Sequence, residues 1–206
     1  MSALFEFECQ VAVNGYQINF DRNLQARSKR IRRFDLFKVN SSAFLEFAQT
    51  PATEDGIKDF ADRYGLMIFD DDEPIEWWFA EIRQMHRMVE LWEMSKSTRD
   101  YSKLIRAVRK KLILAGFEDE RPGVKVELHL REDPLSASAR LRVVPETLLT
   151  ALWTQLVLAI DGNLILRGCV QCRKWFTLEA GRGRSDKEYC SNACRMRAYR
   201  ERKGTG

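Results

Sequence analysis

The chain has 206 residues, 45% of them hydrophobic, and 34 Lys and Arg against 30 Asp and Glu give a net charge of +4. That is enough for one full core plus a small appendage. No apolar run approaches the ~18 residues of a membrane span, and there is no repeat or low-complexity tract. With no apolar signal segment after Met1, the expected location is cytoplasmic.

Residues 4–13 and 16–20 alternate in polarity around Asn14-Gly15, which predicts a β-hairpin turning at that dipeptide. Cys9 lies in the first run and reads as a buried free thiol. Arg27, Lys29, Arg30, Arg32 and Arg33 then form a basic cluster, expected as an exposed loop. It would be a second phosphate-contacting stretch only if it lay near the C-terminal helix.

Ser41 or Ser42 is suited to cap a helix over 43–49 that buries Phe44, Leu45 and Phe47. Thr53 is suited to cap a helix over 54–64, with Gly65 as its stop. The acidic run Asp70-Asp71-Asp72-Glu73 before Pro74 suggests charge complementing a helix start, rather than a metal site.

Ile75, Trp78, Ile82, Met85, Val89 and Trp92 step by three and four, which predicts a long helix with one apolar stripe, widened by Trp77, Phe79 and Leu91. His86 lies beside the stripe with no obvious partner. A further helix is expected from Ser97 or Thr98 to Gly116, burying Tyr101, Leu104, Ile105, Val108 and Leu112.

Two alternating strands come next, over 124–130 and 139–143, joined by a turn at 131–138, with His129 facing solvent. Pro145 is expected to open a last core helix over 146–160, with Leu148, Leu149, Leu152, Trp153, Leu156 and Ile160 inward and Asp161-Gly162 as breaker. A short strand over 164–166 leads directly into Cys169. The absence of a Ser/Gly-rich linker implies that the cysteine-bearing C-terminal segment is docked on the helical part.

Cys169 and Cys172, then Cys190 and Cys194, make a C-x-x-C and a C-x-x-x-C pair separated by seventeen residues. A tight turn aims the first two sulfurs at one point. The second two share a face of a helix's first turn. This donor set suits one structural zinc ion, with the four ligands leaving no open position for catalysis. Two disulfides would need an oxidising compartment, and an iron–sulfur cluster is the more distant reading.

Ser191 is suited to cap a helix running to about Lys203. From Gly168 onward there are ten Lys and Arg against four acids, so this region carries +6 and the remainder about −2. Arg182 and Arg184, on the tip of the finger hairpin, and Arg195, Arg197, Arg200, Arg202 and Lys203, on the helix, are the candidate nucleic-acid contacts.

The segment Cys169-Val-Gln-Cys172-Arg-Lys-Trp175-Phe176, continued by Arg184-Ser-Asp186-Lys-Glu-Tyr189-Cys190-Ser191-Asn-Ala-Cys194-Arg-Met-Arg197-Ala-Tyr-Arg200, resembles a treble-clef-type zinc finger. It is most similar to the CGNR-type finger that ends a class of bacterial stress-linked transcription regulators. Arg197 matches the Arg of the C-G-N-R signature. Arg195-Met196 stand where that signature has Gly-Asn, and the first cysteine pair is tighter than the family's usual one. The spacing is similar, too, to the small zinc proteins that inhibit DNA gyrase, which bind protein. The resemblance spans residues 166–203 and implies metal ligation by the four cysteines and a regulatory role.

The expected fold class is therefore α+β. A mainly helical domain with small β-hairpins occupies 1–165, and a four-cysteine treble-clef-like finger with a basic helix occupies 166–206. No phosphate loop, His-Glu-x-x-His or Gly-x-Ser-x-Gly is present, and enzymatic activity is not expected. Two function classes remain. One is a zinc-dependent nucleic-acid-binding regulator, with DNA favoured over RNA. The other is a zinc-stapled adaptor or inhibitor that binds a protein partner. A homodimer is compatible with either, and no membrane partner is expected.

Overall fold

The structure is a computed structural model that describes residues 5–68, 71–98, 100–104, 106–107, 124–133, 136–162, 164–178 and 186–204; at 97, 124–133, 136–143 and 204 the backbone alone is described. The fold is α+β: a helical N-terminal region with small antiparallel sheets, then a cysteine-bearing hairpin and a final helix.

The N-terminal segment forms β1 (Glu8–Ala12), β2 (Tyr16–Ile18), β3 (Asn23–Ala26) and β4 (Ile31–Asp35). The expected hairpin at Asn14-Gly15 does not form. β1 pairs with β4 and β2 with β3, so residues 8–18 and 23–35 make one longer antiparallel ribbon that reverses at 19–22. Arg22 N–H donates to the Asn19 carbonyl at 3.1 Å and Asn19 N–H to the Asn23 carbonyl at 2.9 Å, closing that reversal.

Asn14-Gly15 instead marks a one-residue register shift between the two ladders, as a bulge does. Gly15 adopts φ +72°, and a Cβ there would lie 2.6 Å from Asp62 Oδ1. The close approach has a use, since the same Oδ1 accepts from Tyr16 N–H at 2.8 Å.

The basic cluster is likewise not simply a loop. Arg32 and Arg33 lie in β4, where Arg32 donates to the Asp62 carbonyl at 3.0 Å and Arg33 pairs with Glu8 at 3.4 Å. Cys9 is buried, as expected of a packed thiol. Burial, and then the Asp35 charge, push it up to about 12, so it stays protonated and unreactive.

Three helices come next: α1 (Leu36–Val39), α2 (Ala43–Ala48) and α3 (Glu54–Tyr64). Thr53 caps α3 as predicted, accepting from Gly56 N–H at 3.1 Å. Gly65 ends it at φ +96°, with its position against the Gln10 carbonyl leaving no room for a side chain. Phe44, Leu45 and Phe47 of α2 are buried as predicted.

Ser42 stands at the N-cap position of α2 but does not cap it. The buried Gln155 does part of that work from another helix, accepting from Phe44 N–H at 3.2 Å and donating to the Asn40 carbonyl at 2.8 Å. A long-range partner has replaced a local one.

The acidic run departs from expectation. Asp72–Pro74 forms β5 on the edge of β3, and Glu73 is fully buried rather than displayed at a helix end. Its carboxylate accepts from Met67 N–H at 2.9 Å, from Trp78 Nε1–H at 2.8 Å and from Ile68 N–H. A carboxylate can take several donors at once, and here it closes the turn after α3 onto the start of the long helix α4 (Ile75–Thr98).

The stripe of α4 is inward, with Ile75, Trp78, Ile82, Met85, Val89 and Trp92 all buried. Trp77 does not widen it; that side chain is exposed. Phe47, Phe60 and Trp78 form an aromatic knot with centroids 5.0–6.2 Å apart, where α2, α3 and α4 meet.

α4 continues through Thr98, so the next helical turn begins later than predicted. Asp100 Oδ1 accepts from Ser102 N–H at 2.9 Å, Leu104 is buried, and Tyr101 is exposed rather than buried. Ile105, Val108 and Leu112 lie outside the described residues.

β6 (Val124–Asp133) and β7 (Ser136–Pro145) pair from Val124↔Pro145 to Asp133↔Ser136. The strands are longer, and the turn shorter, than alternation suggested. Pro145 therefore closes a strand instead of opening a helix. α5 (Leu148–Asp161) starts from Thr147, whose hydroxyl accepts from Thr150 N–H at 3.1 Å. Among the described residues, no helix is long and apolar enough to cross a membrane.

Replacing Glu73 with Ala would strand two buried backbone N–H groups and an indole N–H. The variant should lose about 2–4 kcal/mol of stability in urea unfolding, and Glu73→Gln, which keeps the shape but not the charge, should lose less.

Candidate metal centre and its basic helix

β8 (Ile165–Gly168) runs antiparallel to β9 (Trp175–Leu178), with Gly168 opposite Trp175. Between them the chain makes a tight knuckle. Cys169 N–H donates to the Lys174 carbonyl and Arg173 N–H to the Cys169 carbonyl, both at 2.9 Å, with Arg173 in the left-handed region at φ +63°. The knuckle is what points the Cys169 and Cys172 sulfurs the same way.

The returning segment is stitched to it by Val170 N–H donating to the Glu188 carbonyl at 3.1 Å. α6 (Asn192–Gly204) then starts at Ser191, whose Oγ accepts from Cys194 N–H at 3.3 Å. Ser191 is thus the cap that the sequence suggested. It sets Cys190 just outside the helix and Cys194 in the first turn.

The four sulfurs converge within 4.8 Å of one another. Cys172 and Cys190 are 3.7 Å apart, and Cys190 and Cys194 3.5 Å. Disulfides would need ~2.05 Å, and all four are free thiols. Four thiolates at ~2.3 Å from one ion in a tetrahedron would be ~3.8 Å apart, so the set can hold a single structural metal ion.

The electrostatics agree. Burial opposes the Cys169 thiolate, but the backbone N–H groups of Cys172, Cys190 and Gln171 outweigh it and bring that thiol down to about 6. Cys190 is pushed the other way, to about 12, by burial and then by the neighbouring Cys194, Cys172 and Cys169 thiols. The protein alone readily supports one anionic sulfur. Ionising Cys190 beside it calls for a cation in their midst.

α6 carries the expected basic residues. Arg195, Arg197, Arg200, Arg202 and Lys203 are all exposed, and the buried side of the helix is at Ala198. Arg202 Nε–H donates back to the Ala198 carbonyl at 3.3 Å, and Lys203 Nζ lies 5.2 Å from the centre of the Tyr199 ring. Glu201, the one acid of this helix, is held by Gln171 in the knuckle, whose Nε2 donates to both its oxygens at 3.0 Å. Arg182 and Arg184 lie outside the described residues. A shallow cleft between 186–189 and the first turn of α6 is lined by Asp186, Glu188 and Arg195 among others.

The residues that seat this module on the helical region escaped sequence reasoning. Trp175 is their centre. Its N–H donates to Gln49 Oε1 at 2.6 Å, its carbonyl accepts from Gln49 Nε2 at 3.3 Å, and its Nε1–H donates to Glu93 Oε2 at 2.7 Å.

The Trp175 ring lies 4.9 Å from that of His86, which is therefore not without a partner. His86 Nδ1 donates to the Ala48 carbonyl at 2.9 Å, and Nε2 lies 3.4 Å from Glu90. Ser42, spared from capping α2, instead meets the Thr177 hydroxyl of β9 at 3.1 Å. Lys96 donates to the Leu164 carbonyl at 2.7 Å, and its burial there, only partly countered by the Glu93 charge, lowers it to about 8. One signal was available: His86, Glu90 and Glu93 share a face of α4 beside the apolar stripe, at i, i+4 and i+7.

No protein-family model matches the chain, and no curated protein matches it. What stands without them is the coordination geometry: a four-cysteine cluster in a treble-clef-like setting of knuckle, hairpin and helix.

Stripping the metal with a chelator should release α6, seen as a partial loss of helical circular dichroism, while a cooperative thermal transition of the helical region survives. For the docking contact, a double-mutant cycle of Trp175→Phe with Glu93→Ala should return a coupling of about 1 kcal/mol, because Phe keeps the ring but not the indole donor.

Proposed function

We propose that this chain is a non-enzymatic, zinc-stabilised nucleic-acid-binding protein acting in transcription regulation, with DNA as its partner. The observation that carries this reading is the state of α6. Five basic side chains stand exposed on a helix held through its first turn by the cysteine cluster, and the helix's single carboxylate is turned onto Gln171. A fixed helix that presents five cations to solvent is what phosphate contact requires.

Zinc fits the donor set best. Soft thiolates select it, and four of them close the tetrahedron, giving the ion a structural role. The resemblance to CGNR-type fingers points the same way, through Arg197 and the spacing of the cysteines.

The rival reading, a zinc-stapled adaptor for an acidic protein, uses the same charge. Binding to mixed-sequence DNA as a function of salt separates the two. The intact chain, carrying one zinc per molecule, should bind with a steep log–log salt dependence, each duplex phosphate contact contributing roughly 0.9 to the slope. Arg197→Ala with Arg200→Ala should lower that slope by about two and weaken binding without loss of zinc. An intact, zinc-loaded chain that retains no DNA at low salt would be an adaptor.

A further inference from the structure

The outward face of α6 is not made of charge alone. At ~100° per residue, Met196, Arg200 and Lys203 point away from the side on which Ala198 is buried, with Tyr199 and Arg197 on the two flanks and Arg195 one turn before Tyr199 on its flank. Met196 and Tyr199, one turn apart, are 44% and 46% exposed. Neither contributes to the core, and neither is needed to hold the helix, which is tied to the knuckle through Cys194 and Glu201.

An aromatic ring exposed between Arg195 and Lys203, one turn to either side, has one chemical use that a phosphate-only surface lacks: its π-face can stack. Lys203 Nζ sits 5.2 Å from the ring centre, so a cation already accompanies the platform. Bases inside a duplex are stacked on each other and offer only their edges. Unpaired bases offer their faces, and aromatic residues set among basic side chains are how sequence-tolerant single-strand surfaces are built.

We propose that α6 takes an unpaired polynucleotide strand. Tyr199 stacks on a base, Met196 extends the apolar contact, and Arg195, Arg200 and Lys203 hold the phosphates on either side. This rests on the nucleic-acid reading given under the proposed function and narrows its ligand to single strands.

The test uses the intact, zinc-loaded chain and fluorescence anisotropy with three probes: a labelled oligo-dT, an oligo-U of equal length and a mixed-sequence duplex. The single strands should bind more tightly than the duplex. Tyr199→Ala should weaken oligo-dT binding between about five-fold and about a hundred-fold, the usual range for loss of one base–aromatic stack. Zinc content, helical signal and salt slope should not change, and Tyr199→Phe should restore binding. Lys203→Ala should lower the single-strand salt slope by about 0.7.

Tighter binding of single strands than of duplex supports the proposal, whichever of oligo-dT and oligo-U is preferred. Duplex preference, or single-strand binding indifferent to Tyr199→Ala, overturns the stacking role while nucleic-acid binding stands. Binding of none of the three probes removes the nucleic-acid reading itself.

Discussion

Four cysteine sulfurs within 4.8 Å of one another are the constraint on which the C-terminal part of this molecule depends. As neutral thiols they make weak contacts, and as thiolates they repel. A single dication would reconcile them, and the surrounding backbone fits that state. Three N–H groups already favour the Cys169 anion, the knuckle fixes Cys172 beside it, and the Ser191 cap sets the register of Cys190 and Cys194. β8, β9 and α6 bury few large apolar side chains of their own. A metal ion held by the four sulfurs would stand in for the hydrophobic core that so short a segment cannot build.

The cluster would orient α6 only relative to its own hairpin if the hairpin were free. Trp175 removes that freedom. It lies three residues beyond Cys172 and is gripped on its backbone by Gln49, on its indole nitrogen by Glu93 and on its ring by His86. Ser42 and Lys96 add polar ties at Thr177 and Leu164. The helical region thus provides a platform of α2 and α4, and the cysteine-bearing hairpin transmits its orientation to the basic helix. The same polar character keeps this seam distinct from the aromatic knot of Phe47, Phe60 and Trp78 that holds α2, α3 and α4 together.

Legibility in the sequence tracked the range of the interactions. The α4 stripe, the Thr53 cap, the Gly65 stop, the strand before Cys169 and the Ser191 cap all depend on neighbours within a turn or two, and all were readable. Strand pairing was not. Asn14-Gly15 has the chemistry of a hairpin turn, yet β1 finds β4 and the dipeptide becomes a bulge, because pairing is chosen by what the whole ribbon packs against. Glu73 looked like one of four surface acids. Its burial depends on two backbone N–H groups and an indole arriving from either side, which no local pattern announces. Pro145 misled for a related reason: it suits the first turn of a helix, but it also suits the last position of a strand on a two-stranded sheet.

The amino-acid sequence by itself determined which atoms can bind a metal, since ligand identity and spacing are local covalent facts, and it determined that the positive charge gathers on the helix they anchor. Only the tertiary structure decided which groups meet that module. The long-range geometry tied Glu201 to Gln171, gave His86 a role beside Trp175, diverted Ser42 from its helix to Thr177 and left Tyr199 facing out. Those outcomes depend on distances between segments far apart in the chain, and such distances exist only once the core has packed.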